Sequence, residues 1–332
     1  MKFAVVGDVH IADVAPSTRK DDYRNVVLGK LKFIIDQVNQ AGDYQAVLFL
    51  GDLFHKKVPF HNSHSLISSL IKIFEGCTCP IYIVPGNHDI HGNMSTFENQ
   101  PLNVLIQAGV VKMLSNQNPV LFNWGNVTVS LNGVPFSPLL DSKNSASLYS
   151  LNHLDEADVK ISMFHQMVLP DDKKFFADYI NFEDLANVNC DVVLCGHYHE
   201  GFNPSCVYEN GKFFVNPGSI TRGTALQANL EKSPKFTTLF IEKVNGATTV
   251  RCEDQEIPFV KSDEVFDFTV IDRNQKKKDM HEFMDGLSEM ESQSLSTQEP
   301  SGILNALKVL GIESRLEPIA QHYLDEAYAV LS

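Results

Sequence analysis

Ile81-Tyr82-Ile83-Val84-Pro85-Gly86-Asn87-His88-Asp89 is an apolar run that breaks at a proline and a glycine and then presents three polar side chains. The first four residues have the makings of a buried strand, and Pro85-Gly86 ends it. Asparagine, histidine and aspartate are residue types that ligate cations or move protons. The same pattern occurs twice upstream. A strand over 2–6 runs into Gly7-Asp8-Val9-His10, and another over 46–50 runs into Gly51-Asp52. Between these strands, residues 23–40 place Val27, Leu31, Ile34, Ile35 and Val38 on one helical face that stops near Gly42, and 65–74 reads as a second helix. Strand, helix, strand, helix, strand predicts a parallel sheet with crossover helices. Ligands of such sheets collect beyond the carboxyl ends of the strands. All three polar clusters fall there.

Past Gly109 strands outnumber helices. The stretches 127–131, 159–164, 192–195, 212–215, 236–241 and 247–251 read as strands, the last two joined by a turn at Asn245-Gly246. They predict a second sheet packed on the first, hence an α/β fold built as a layered α/β/β/α sandwich. From Ile257 the pattern changes to a short strand over 266–271 and a helix over 280–290. A polar breaker at 292–301 containing Pro300 follows. The expected division is a catalytic domain over 1–256, a small α+β accessory region over 257–291, and a linker with helical segment over 292–332. In that last part Ile303, Leu304, Leu307 and Leu310 form one apolar stripe. Ile319, Tyr323, Leu324, Ala327 and Leu331 form another, after Pro318. Such a pair of helices suits either a partner's groove or the home domain.

The bulk properties narrow the class. The chain has 332 residues, 43% hydrophobic and 20% charged, the make-up of a globular protein with room for a large domain and a smaller one. A formal net charge of −14 argues against a broad electrostatic grip on DNA or an anionic membrane. Bound divalent cations would restore positive charge locally, where a phosphate must sit. The 6 cysteines include no CxxC pair and read as reduced thiols. No run approaches the ~18 apolar residues of a membrane span, nor does the start read as a secretion signal, so a cytoplasmic protein is expected.

Taken singly, Asp8-Val9-His10, Gly51-Asp52, Gly86-Asn87-His88-Asp89, His165 and Gly196-His197-Tyr198-His199 could each be a polar loop. Together, four of the five at strand ends, they point to a site for two cations. A bridging carboxylate holds two metals about 3.5–4 Å apart, close enough for both to polarise one phosphate. Asp52 is the natural bridge. Mixed oxygen and imidazole donors suit Mn²⁺, with Fe²⁺ or Zn²⁺ as alternatives. His197 and His199, at the end of an extended segment, can each address a different ion.

This set of motifs resembles the calcineurin-like metallophosphoesterase superfamily. Carried over motif by motif, the resemblance implies that Asp8, His10, Asp52 and His199 hold one metal, and that Asp52, Asn87, His165 and His197 hold the other. It makes His88 the catalytic histidine, with Asp89 orienting its ring, and it implies in-line attack on phosphorus by metal-activated water. Gly51-Asp52-Leu53-Phe54-His55 further resembles the SbcD and meiotic-recombination nuclease subunits, including the bacteriophage recombination nucleases. There His55 would help position DNA. Departures exist: Ile11-Ala12 stands where the family often has Leu-Gly, and no basic tail follows the catalytic domain. Lys173-Lys174 and Lys276-Lys277-Lys278 read as solvated faces.

The resemblance implies a Mn²⁺-dependent DNA nuclease, a 3′-to-5′ exonuclease on duplex ends and an endonuclease on single strands. It also implies a homodimer that binds an ABC-type ATPase through its C-terminal helices and serves DNA repair, recombination or replication. A stand-alone phosphatase, or a phosphodiesterase of cyclic nucleotides and other small molecules, is the alternative.

Overall fold

Successive residues of β1 (Lys2–Val6) face two different cores, which is why the strand is apolar on both sides. Phe3 and Val5 enter a core between two sheets, while Ala4 and Val6 lie under helices. The computed structural model describes residues 1–270 apart from 91–93, 141–148, 150, 174–177, 224–226 and 246.

The strands that follow are β2 (Tyr44–Phe49), β3 (Ile81–Ile83), β4 (Lys112–Met113), β5 (Val120–Trp124), β6 (Val127–Val134) and β7 (Val159–Phe164). Then come β8 (Val168–Leu169), β9 (Ile180–Asn181), β10 (Val192–Cys195), β11 (Cys206–Glu209), β12 (Lys212–Val215), β13 (Lys235–Val244) and β14 (Ala247–Glu256). They form two 6-stranded sheets, ordered β14-β13-β1-β2-β3-β4 and β11-β12-β10-β7-β6-β5, and a β8-β9 pair. Pairing is parallel from β1 through β4 and through β6, β7, β10 and β12; β5, β11, β13 and β14 are antiparallel to their neighbours.

Leu48 and Leu50 meet Leu131, Ile161, Met163 and Leu194 in the core between the sheets. Three helices, α1 (Tyr23–Ala41), α2 (His64–Glu75) and α3 (Pro101–Gln107), contribute to the core on the outer face of the first sheet. There Leu31, Ile34, Leu66, Leu70 and Phe74 pack with Val47 and Phe49. Each such leucine or isoleucine removed from water contributes roughly 1.5–3 kcal/mol. The helix ends carry their own stop signals. Asp22 caps α1 by accepting from the Asn25 amide, Gly42 closes it at φ 70°, and Ser63 caps α2 by accepting from Leu66 N–H. On the outer face of the second sheet, Phe164, Val193 and Phe214 pack with Phe182, Leu185 and Phe202. Among the described residues this fourth layer contains the β8-β9 pair and a 3₁₀ turn, Glu183–Leu185, which supplies Leu185. The fold is thus the layered sandwich expected.

The strand expected over 266–271 is not formed in its described part. Phe266 makes one antiparallel bridge to Arg19, and 268–270 are helical. Phe266 is apolar for another reason: its ring is buried beside the Arg19 and Arg222 side chains. Met1–Phe266 forms one compact unit, running past the boundary expected at Glu256 because Ile257, Val265 and Phe266 are buried in it. The expected helix over 280–290 and the two C-terminal stripes lie outside the described residues. Among described helices, none is long and apolar enough to cross a membrane.

Candidate metal centre

The site grows from the carboxyl ends of the parallel strands. Just past β1, β2 and β10, the chain turns with His10, Asp52 and His197 in the left-handed region, at φ 50°, 49° and 75°. Side-chain-bearing residues rarely adopt these angles, and here they point to local constraint at a functional site. Gly51 (φ 100°) and Gly86 are glycines for a further reason. A Cβ at Gly51 would strike the His165 ring, and one at Gly86 would strike the Asp52 carboxylate and backbone. Both glycines let the loops close on one another.

The convergence is tight. One potential ligand atom from each of Asp8, His10, Asp52 and His199 falls within a mutual 4.8 Å, and Asp52, His165 and His197 form a second such group. Asp52 belongs to both. Its Oδ2 lies 3.4 Å from His10 Nε2 on one side and 3.4 Å from His165 Nε2 on the other. Asn87 Oδ1 lies 3.2 Å from His165 Nε2, which adds an oxygen donor to the second group. Asp8 Oδ1 is 3.8 Å from His165 Nε2 and 3.8 Å from His199 Nε2. Phe136 walls the second group, its ring centroid 5.4 Å from that of His197.

Outer contacts orient the donors. His165 Nδ1 lies 2.6 Å from the Leu50 carbonyl, which can only accept, so Nδ1 carries the proton and Nε2 faces the cluster. The His197 amide donates to Asp8 Oδ1 at 3.0 Å and the His88 amide to Asp52 Oδ1 at 2.8 Å. Tyr23 Oη donates to the His10 carbonyl at 2.7 Å, tying α1 to the loop after β1.

The fit to cations can be tested on the protein's own atoms. Asp8 Oδ2, Asp52 Oδ2, His10 Nδ1 and His197 Nδ1 are buried with no hydrogen-bond partner. His10 Nε2 and His199 Nε2 face each other at 2.9 Å. Burial, then the neighbouring charge of His199, depresses His10 to about 3 in the face of the Asp52 carboxylate. Burial and His165 likewise hold His197 down at about 4. Burial would raise both carboxyls, yet His199 and His165 hold Asp8 below its ordinary range, and His165 and His10 do the same for Asp52. Burial opposes a proton on His165, but Asp52 and Asp8 outweigh it and lift the ring to about 10. Two ionised carboxylates beside the neutral imidazoles of His10 and His197, with a proton on His165 that a bound cation would displace, are a donor set for divalent cations. The residues present fit.

His55 and His88 stand beside this cluster. Their rings stack with centroids 5.6 Å apart and planes 18° apart, and with His10 they form a third convergent group. His88 Nδ1 lies 2.7 Å from the His55 carbonyl. This departs from the expectation that Asp89 orients the His88 ring. Asp89 instead accepts three backbone amides, from Leu53 at 3.3 Å, Phe54 at 3.1 Å and Gly86 at 3.0 Å, clasping two metal-site loops together. Asp89 is buried, and burial and the charge of Asp52 push its carboxyl up to about 7. The ring's partner is a backbone carbonyl, which sequence motifs do not reveal.

A cleft of about 470 Å³ opens over these groups, lined by His10, His55, Lys56, His88, His199 and Thr221 among others. Sequence reading passed over Lys56, an exposed cation directly after His55. Its signal was its place in His55-Lys56-Lys57 at the mouth of a strand-end loop.

Comparison with known proteins bears on this geometry. The family model described as calcineurin-like phosphoesterase matches residues 1–201, a stretch that includes every expected site residue from Asp8 to His199. A probable cyclic nucleotide phosphodiesterase of Coxiella burnetii is 23% identical over 214 residues, 62% of this chain and 78% of that protein. Among solved structures, the Thermus thermophilus protein TT1561 aligns over 77% of this chain and 99% of its own, at 12% identity and a TM-score of 0.44. The sulfate thiohydrolase SoxB of Thermus thermophilus aligns over 77% of this chain and 56% of its own, at 11% identity and a TM-score of 0.46. The chain belongs to the calcineurin-like phosphoesterase family, whose members use a dinuclear divalent metal site, and is a metal-dependent phosphoesterase.

Proposed function

We infer that the chain is a DNA-cleaving phosphodiesterase of SbcD type, a nuclease subunit that works with an ABC-type ATPase in DNA repair, recombination or replication. The observation that carries this reading is His55. The histidine that sets its motif apart stacks on His88 and lines the same cleft, with Lys56 beside it. Exposed Lys56 offers a cation to a phosphate in an otherwise acidic chain.

Asp8, His10, Asp52 and His199 would hold one cation, and Asp52, Asn87, His165 and His197 the other. When bound, the two ions polarise the phosphate and supply activated water. The chain's own residues do the rest. With Nδ1–H donating to the His55 carbonyl, His88 keeps a fixed ring plane, and as an imidazolium it would hold at Nε2 the proton destined for the departing oxygen, returning to the neutral ring on its transfer. The His88 and His197 amides steady Asp52 and Asp8 against rotation. The expected metal is Mn²⁺, the expected assembly a homodimer, and the expected cleavage 3′-to-5′ on duplex ends with endonuclease action on single strands. The helices expected to engage the ATPase lie outside the described residues.

The second reading, a cyclic nucleotide phosphodiesterase, draws on the printed description of the Coxiella burnetii relative and on a cleft whose size suits a small ligand. One assay separates the two. Labelled duplex and single-stranded DNA are incubated with the protein and Mn²⁺ beside cyclic nucleotides, with His88→Ala and His55→Ala as controls. The nuclease reading expects DNA cleavage that falls roughly 10²–10⁴-fold in His88→Ala. His55→Ala should weaken DNA cleavage more than hydrolysis of a small diester. Hydrolysis of cyclic nucleotides with intact DNA would establish the second reading instead.

A further inference from the structure

A second cavity, of about 210 Å³, is lined by Arg19, Asp21, Lys30, Arg222, Phe259 and Val260 among others. Its charge does not balance. Three cations face a single lining carboxylate, Asp21, both of whose oxygens are taken by Arg19, from Nε at 2.8 Å and Nη2 at 2.6 Å. Lys30 and Arg222 therefore share no lining anion. Yet Lys30 is only 6% exposed and Arg222 2%.

What they do touch is neutral. Lys30 Nζ donates to the Ile220 carbonyl at 2.7 Å. Arg222 donates to Ser262 Oγ at 2.9 Å and to the Val260 carbonyl, with Phe259 and Phe266 ring centroids 5.1 Å and 5.8 Å from its guanidinium carbon. Arg222 Nε is buried with no partner at all. Burying cations without a counter-charge is costly, and ring faces recover only part of the loss. An anion in the cavity would satisfy both.

We propose that this cavity is a binding site for a tetrahedral oxyanion of the phosphate class, held by Arg222 and Lys30 with Arg19 adding long-range attraction. The volume is below the ~300–1,000 Å³ of drug-sized pockets but several times the ~30 Å³ share of one water, so it suits a small ion. Guanidinium and ammonium groups are the standard donors for such an ion. The site is distinct from the metal cleft, though the two share a wall. Ser219 and Thr221 line the cleft, while the carbonyls of Ile220 and Arg222 on the same strap are held by Lys30 and by Arg19, the latter at 2.7 Å. It does not depend on which phosphoester the cleft cleaves.

Calorimetric titration of inorganic phosphate into the full-length chain, at fixed ionic strength and both with and without Mn²⁺, tests the site. Phosphate ions should bind the chain saturably with and without Mn²⁺, and substitutions at Lys30 and Arg222 separate this cavity from the cleft that Lys56 lines. Lys30→Met and Arg222→Gln should each weaken this binding by about tenfold or more. Lys30→Met conserves shape, so it remains informative if Arg222→Gln lowers stability. A short 5′-phosphorylated oligonucleotide is titrated in parallel: binding by it alone, lost in both variants, would mean the site takes a phosphate carried on a chain. Absence of saturable binding for both probes, or binding indifferent to both substitutions, would overturn the proposal.

Discussion

His10, Asp52 and His197 each turn the backbone into the left-handed region at a strand end, which costs on the order of 1–3 kcal/mol per residue. At Asp52 the chain is braced from the next residue onward by Asp89. Its carboxylate gathers the amides of Leu53, Phe54 and Gly86, so the loops that carry Asp52 and Asn87 move as one piece. Asp89→Ala leaves three buried donors without an acceptor, each worth about 1–3 kcal/mol, so stability should fall by about 3 kcal/mol or more. Urea unfolding of the variant measures it. Asp89→Asn keeps one acceptor oxygen and should lose less. A lowered kcat at unchanged stability in Asp89→Asn would instead restore Asp89 to the role of orienting His88. The His88 plane is set by the His55 carbonyl, and no residue type encodes a backbone carbonyl. That is why the histidine itself was legible in Gly86-Asn87-His88-Asp89 while its partner was not.

Among elements, α1 does two jobs with one buried face. Val27, Leu31 and Ile34 pack in the core with the first sheet, and Lys30 reaches the strap at Ile220. Burial first, then the charges of Arg222, Arg19 and Lys232, pull the Lys30 ammonium down to about 7 against the attraction of Asp21. Below about pH 7 folded and unfolded chains both hold the proton, and the burial cost is fully present. Between about pH 7 and about 10.4 only the unfolded chain holds it, so stability gains with rising pH through this window. Lys30→Met should therefore be most favourable relative to the parent at about pH 6 and progressively less so toward about pH 9.5. Thermal unfolding of both proteins across that range reads it, and parallel curves would contradict it. The apolar runs of β1, β2, β3, β7, β10 and β12 were legible because strands buried on both faces read as continuous hydrophobic stretches. β4, β8 and β9, two residues each, are too short to show a period, and β5 and β11 are half-exposed edge strands. The Arg19, Lys30 and Arg222 cluster was invisible for a different reason. Its members are distant in sequence and meet only through the packing of α1 against the strap after β12.

At the scale of the molecule, two sheets bring strand ends from positions 8 to 199 to one edge, where an acidic chain assembles a site that needs positive charge to receive a phosphate. Asp52, with Oδ2 3.4 Å from both His10 Nε2 and His165 Nε2, is placed to join two cation sites through one carboxylate. The Mn²⁺ stoichiometry of the full-length chain, read with its electron paramagnetic resonance spectrum, decides this. Two ions per chain with a spin-coupled spectrum are expected, since bridged ions about 3.5–4 Å apart interact magnetically. In Asp52→Ala the coupled signal should vanish while the chain stays folded. A single uncoupled ion in the parent protein, or a coupled pair that survives Asp52→Ala, would contradict it.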